Sequence, residues 1–306
     1  MFGGPPRRRP AVVWRVYPWT VAVATLTFAD RLGAEVERKR SQLVIGLDPQ
    51  PELMPVELGG DVARFCCGIV DAVAPYAVAV KPQLAFFEAL GAEGMGAFGE
   101  VCAYARRAGL LVIADGKRGD VGSTARAYAS AYLDADDAPA DALTVNPYLG
   151  RESLEPFLAA ARRRGAGLFC LVKTSNAGGD VQDLVLSDGR PLWQQIAALV
   201  AEWGEELVGE RGLSSVGAVV GATHPRAVAE ARKLMPQTIL LLPGVGAQGA
   251  TPGDLARAFT SGPASALVTA SRSVIYASRE SEGDYREAAG AEAARLRNEV
   301  WAVSGW

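Results

Sequence analysis

Histidine is nearly absent from this sequence: His224 is the sole one in 306 residues. That leaves little room for Ser-His-Asp chemistry or a histidine-rich zinc site, so a catalytic proton has to come from Lys, Asp, Glu, Tyr or Cys. Cysteine is scarce too. Cys66, Cys67, Cys102 and Cys170 form no CxxC pair. Three fall in expected helices and one in an expected strand, so they read as buried reduced thiols of a cytoplasmic protein rather than as a disulfide frame. No apolar run reaches the roughly 18 residues that a membrane helix needs. Nor is there an excess of one charge. A net charge of -3 offers no general attraction to nucleic acid or to a membrane surface.

What is present is an ordinary globular composition, 49% hydrophobic and 21% charged, with a regular rhythm. Short β-rich runs at 42–48, 76–82, 110–116, 142–148, 167–175, 216–223, 238–244 and 266–272 alternate with longer Ala-, Leu- and Glu-rich stretches. The runs are almost continuously apolar, as parallel strands covered on both faces should be. Thr223 with Pro225, and Thr251 with Pro252 and Asp254, read as helix N-termini. Eight such repeats predict an α/β fold, a (β/α)8 TIM barrel in a single domain spanning 28–306. A doubly wound sheet would carry fewer strands and a GxGxxG after the first; "GLDP" is not that. Residues 1–27 begin with basic and apolar stretches, but Arg15 and Pro18 interrupt the apolar run. They read as an N-terminal extension, disordered or arising from a start assigned too far upstream, rather than as a secretory signal.

The charges gather where a barrel keeps its site, at the C-terminal ends of strands. Asp48 ends the first run, Lys81 the second, Asp115 and Lys117 the third, Asn146 the fourth, and Lys173 and Ser175 the fifth. Asp115 and Lys117 are two apart, so a persisting strand points both to one side. Carboxylates beside Lys117 favour its ammonium form. That suits a proton donor and not a Schiff-base nucleophile, which needs a free amine. After the seventh run, "PGVGAQG" places Gly244, Gly246 and Gly249 in one loop, and Arg272 follows the eighth. Loops in these two places commonly cradle a phosphate, with glycine amides and an arginine fork as donors.

The stretch "DGKRGDVGST" resembles the DxKxxD signature of the orotidine 5'-phosphate decarboxylase family, particularly its second bacterial subgroup. "GLDP", "VKPQLAFFE", "VNPYLG", "LVKTSN", "PGVGAQG" and "SRS" are similar to that family in the same order. The resemblance covers about residues 28–300. It implies a homodimer with shared active sites that decarboxylates orotidine 5'-monophosphate to uridine 5'-monophosphate without metal or organic cofactor. By position it implies that Asp48 and Lys81 hold the ribose hydroxyls, that Asp115 sits beside the substrate carboxylate, and that Lys117 protonates C6. It sends Asp120 and Thr124 into the neighbouring subunit's site, gives Ser175 the pyrimidine amide, and gives Gln248, Gly246 and Arg272 the phosphate; Asn146 gets no definite role. Gly116 stands where the subgroup suggests Ala, and Ala177 where Pro is common. The segment "NAGGDVQDLVLSDGRPLW" is expected to form a lid. Two alternatives remain open: a magnesium-dependent sugar-phosphate lyase or synthase of the same barrel group, and an inactive nucleotide-binding barrel.

Overall fold

A computed structural model describes residues 26–245, 251–280 and 283–306. Eight parallel strands close on themselves in sequence order: β1 (Leu43–Leu47), β2 (Ala79–Pro82), β3 (Leu111–Arg118), β4 (Ala142–Val145), β5 (Gly167–Lys173), β6 (Ser214–Val220), β7 (Thr238–Pro243) and β8 (Ala266–Ala270). The expected barrel is the observed one. The α-helices of the described residues are α1 (Phe28–Lys39), α2 (Val62–Val73), α3 (Leu84–Glu88), α4 (Gly91–Arg107), α5 (Gly122–Ala129), α6 (Arg151–Arg164), α7 (Leu192–Gly204), α8 (Pro225–Leu234), α9 (Arg272–Ile275) and α10 (Tyr285–Ser304).

The strands alternate strictly between two cores. On β1, Leu43, Ile45 and Leu47 face the outer helices and join Phe65, Ile69 and Val73 of α2. Val44 instead faces the barrel axis with Ala79, Leu111, Ile113, Ala142 and Phe169. Both faces are therefore apolar, which is why the runs carry no polar alternation. The same period of two carries the inward positions upward: 44, 46, 48 on the first strand, 79 and 81 on the second, 111, 113 and 115 on the third, 142 and 144 on the fourth. Asp48, Lys81, Asp115 and Thr144 thus belong to the axis-facing series as it reaches the C-terminal rim.

The N-terminal end is closed by α1. Thr27 caps it by accepting from the Asp30 amide, and Phe28, Ala29, Leu32 and Val36 are fully buried in the axial core. Phe28 meets Phe169 edge to face, with centroids 5.9 Å apart. A side chain at Gly167 would run into the Phe28 ring. Arg31 donates to Asp141 Oδ1 at 2.7 Å, and Asp141 Oδ2 accepts the Val112 amide at 2.9 Å.

Some local expectations need correction. Strand β6 starts at Ser214, and β3 runs on to Arg118. Thr251 does cap its helix, forming a reciprocal pair with Asp254, but the turn that follows is 3-10. Thr223 caps nothing. His224 occupies the position before Pro225, and the Thr223 hydroxyl is buried without a partner. Cys66, Cys102 and Cys170 are buried and Cys67 half-buried, all four as free thiols.

Candidate active site

At the C-terminal end the strands surround a cavity of about 530 Å³ whose lining includes Asp48, Lys81, Asp115, Lys117, Ser175 and Arg272. That volume lies in the range of small-molecule sites. Asp115 is its centre of charge. Oδ2 accepts from Lys81 Nζ and, at 3.2 Å, from Gln83 Nε2; Oδ1 accepts from Lys117 Nζ at 2.5 Å and Thr144 Oγ1 at 2.9 Å. Four donors meet the roughly four lone-pair positions of a carboxylate. Burial alone would push the Asp115 carboxyl up. Lys81 and then Lys117 more than reverse that and hold it well below the usual carboxylate range. For Lys81, burial disfavours the ammonium, but Asp115 and Asp48 outweigh it and the pKa rises. The charges at the end of β3 thus join Lys81 in a cluster of two ammonium groups on one carboxylate, with Lys117 as its exposed member: its side chain is 46% accessible, against 8% for Lys81.

Lys117 reaches this position in a way that alternation does not describe. Ala114 pairs with Leu143 and Arg118 with Val145, so β3 advances four residues while β4 advances two. The extra length forms a bulge, and Lys117 sits in it at φ 46°, a left-handed conformation that is uncommon outside glycine. Its amide donates to Thr144 Oγ1 at 2.9 Å rather than to a strand carbonyl. Gly116 lies in the same bulge, where a Cβ would come within 2.6 Å of Leu84 Cδ1, the movable end of that side chain; glycine spares that adjustment without being required.

Asp48 is held at the rim by Tyr276, whose hydroxyl donates to the Asp48 carbonyl at 3.0 Å and accepts the Gln50 amide at 2.7 Å. Burial raises the Asp48 carboxyl, with Lys81 opposing. Its Oδ1 is buried and unpartnered, as is Thr269 Oγ1 on the cavity wall. Gly46 is required beside it, because a side chain there would collide with the Ser271 hydroxyl.

Ser175 lines the cavity on a turn stiffened by Gln182, which accepts the Thr174 amide at 2.9 Å and donates to Thr174 Oγ1 at 2.8 Å. Lys173 does not join the charged cluster. Its ammonium is buried under the segment that follows, donating to the Gly179 carbonyl at 3.2 Å and Asp183 at 2.7 Å. That segment, read as a lid, forms a 3-10 helix (Ala177–Asp183) and an antiparallel bridge between Val185 and Pro191.

Asn146, Asp120 and Thr124 fall outside the cavity of the single chain. Asn146 accepts the Tyr148 amide at 3.0 Å and caps the turn after β4. Asp120 accepts the Val121 amide at 2.8 Å, and Thr124 is exposed on α5. Gly246 and Gln248, with Gly249, lie outside the described residues. Thr144 and Gln83 are the contributors that sequence reading missed. Gln83 stood inside a quoted motif, and Thr144 stood at an inward position of the fourth run, so the period of two was the available signal.

The sequence profile of the family described as "Orotidine 5'-phosphate decarboxylase / HUMPS" matches residues 41–288. The orotidine 5'-phosphate decarboxylase of Rhodopirellula baltica is 48% identical over 275 residues, covering 84% of this chain and 91% of that one. The enzyme of that name from Deinococcus radiodurans is 50% identical over 271 residues, covering 87% and 95%. Among solved structures, Leishmania donovani OMP decarboxylase aligns with a TM-score of 0.73 at 32% identity, covering 91% of this chain and 98% of that one.

Proposed function

The chain belongs to the orotidine 5'-phosphate decarboxylase family, and on that premise we propose how its barrel mouth performs the reaction. It is a carboxy-lyase that converts orotidine 5'-monophosphate to uridine 5'-monophosphate in pyrimidine biosynthesis. The observation that carries the reading is the Lys81–Asp115–Lys117 cluster on the cavity wall, in which Lys81 and Asp115 are buried and Lys117 is open to the cavity. The substrate phosphate is held by Arg272 with Gln248 and Gly246, the ribose hydroxyls by Asp48 and Lys81, and the pyrimidine amide by Ser175. The unpartnered Asp48 Oδ1 supports the ribose role, since a hydroxyl donor would satisfy it.

The substrate carboxylate lies against Asp115, which stays ionised because Lys81 and Lys117 hold it so. The bond from C6 to the carboxylate breaks, carbon dioxide leaves, and the electron pair stays on C6. The Lys117 ammonium stabilises that charge from a fixed position and then transfers a proton to C6. Its neutral amine recovers a proton from solvent, for which its exposure is suited.

The reading includes a homodimer in the cytoplasm, with no nucleic-acid partner. Asp120 and Thr124 do not line their own cavity, and Val121, Tyr148 and Leu149, in the segments that follow β3 and β4, expose apolar surface. A two-fold partner would cover that surface and receive both residues. A magnesium-dependent sugar-phosphate enzyme is disfavoured by the donor set, because Asp115 has its lone pairs already taken by four hydrogen-bond donors.

The test is direct. Purified protein should remove the orotidine 5'-monophosphate absorbance, with and without a chelator. Lys117→Ala should fold, bind uridine 5'-monophosphate and not turn over. Retention of more than about a tenth of the wild-type rate, some 1.4 kcal/mol of barrier, would remove Lys117 from the donor role.

A further inference from the structure

Thr144 is buried, with 1% of its surface accessible, on the cavity wall beside Lys81, Asp115 and Lys117. It is the single β4 residue that faces the β3 bulge, because Leu143 pairs with Ala114 and Val145 with Arg118. Three β3 residues, Asp115, Gly116 and Lys117, therefore have one β4 residue opposite them. Lys117 is left without a paired residue on β4, and a part-buried amide without an acceptor is costly. The Thr144 hydroxyl fills the gap. It accepts the Lys117 amide at 2.9 Å and donates to Asp115 Oδ1 at 2.9 Å. The direction is fixed by chemistry: a backbone N–H can only donate, an ionised carboxylate can only accept, and one hydroxyl can do both.

We infer that Thr144 is a positioning residue for decarboxylation. Through one oxygen it holds the backbone of Lys117 in the left-handed conformation that aims its ammonium, and it orients the Asp115 carboxylate against which that ammonium rests. Neither partner could replace it. Asp115 Oδ1 is shared with Lys117 Nζ, and Lys117 has no residue paired with it on β4, so its amide turns to the Thr144 hydroxyl. The inference rests on Lys117 as proton donor.

Thr144→Val keeps shape and volume and deletes the hydroxyl; Thr144→Ser keeps the hydroxyl and deletes a methyl. Thr144→Val should lower kcat at least tenfold, with KM for orotidine 5'-monophosphate and the inhibition constant of uridine 5'-monophosphate changed less than about threefold. Thr144→Ser should stay within about threefold of wild-type kcat, although it packs less well. Where Thr144→Val does not fold, Thr144→Ala replaces it in the same comparison with Thr144→Ser. A valine or alanine variant with more than half the wild-type kcat, a rise in KM that carries the whole effect, or a serine variant no better than valine would each overturn the inference. Lys117→Ala measured alongside separates the two failures. If it is inactive while Thr144→Val is not impaired, only the role of Thr144 falls. If Lys117→Ala is active, the donor assignment and the role of Thr144 fall together.

Discussion

The two ends of the barrel handle charge in opposite ways. At the N-terminal end, α1 lays Phe28, Leu32 and Val36 into the axis, and the ion pair beneath it, Arg31 with Asp141, is completed by a strand amide. Gln42, buried with both amide atoms unpartnered, and Trp301, whose Nε1 has no partner, are the anomalies there among the described residues. At the C-terminal end, two ammonium groups share one carboxylate, a lysine is held at φ 46°, and the Asp48 and Thr269 oxygens are left unpartnered around an open cavity. The same eight strands carry both arrangements, so neither strand chemistry nor distance from the axis explains the contrast. One end is built for cohesion. Backbone strain does not separate the two, since Arg40 behind α1 stands at φ 49° much as Lys117 does at 46°; the other end leaves carboxylate and hydroxyl oxygens unsatisfied on a cavity wall, which persist where a ligand is meant to complete them.

Four experiments probe that division. The largest contrast sets Lys117→Ala beside Phe28→Ala. The first should eliminate turnover and move the melting temperature little. The second should cost about 3–5 kcal/mol of stability by opening a cavity in the axial core, with kcat of the folded fraction unchanged. Loss of both properties in either variant would mean that the two ends are not separable.

Next in size, Arg272→Ala should weaken the nucleotide substrate through loss of a charged hydrogen bond, worth about 1.5–3 kcal/mol, while affinity for the bare nucleoside barely changes. Equal losses for both would place Arg272 outside the phosphate contact.

A third experiment asks whether the open end belongs to one chain. Lys117→Ala and Asp120→Ala homodimers should each be badly impaired. In a mixed dimer one site carries both lesions and the other neither. Random exchange makes half the dimers mixed, so about a quarter of wild-type activity should return. Verified exchange with no recovery would confine Asp120 to its own subunit.

The smallest effect concerns acid. The Asp115 carboxyl lies below its unfolded value, so its stabilisation is complete above about pH 4 and is lost as pH falls through the folded value. The gap in unfolding free energy between wild type and Asp115→Asn should hold steady from about pH 7 to 5 and narrow only below about pH 4. Narrowing near neutrality would mean that Lys81 and Lys117 do not control the carboxylate.

The repeated apolar runs made the barrel legible, because burial on two faces leaves its trace in every strand. The rim charges were legible for a related reason: Asp48, Lys81 and Asp115 interrupt those runs at their inward, C-terminal positions. What escaped was whatever depends on register between strands. Lys173 also ends its run, but β5 advances one residue more than β6 between Leu171 and Lys173, and its ammonium lies under the Gly179–Asp183 segment instead of facing Asp115. Thr144 looked like one more β-branched strand residue until the bulge opposite gave its hydroxyl two partners. Nothing local in the 28–39 helix says that Phe28, Leu32 and Val36 fill the end of the barrel.

The four-against-two register of β3 and β4 also bears on how this stretch tolerates changes of length. Elsewhere a surface loop can gain or lose a residue while the strands beside it stay in step. Between Asp115 and Arg118 no such slack exists. Shortening the bulge would re-aim the residues after it and bring Arg118, now bound to Glu88 and Tyr132 on the outside, toward the place of Lys117. The mouth would keep a positive charge but present a guanidinium, which does not surrender its proton in a protein. A substitution in this tetrapeptide alters one side chain; a deletion alters which cation faces the substrate.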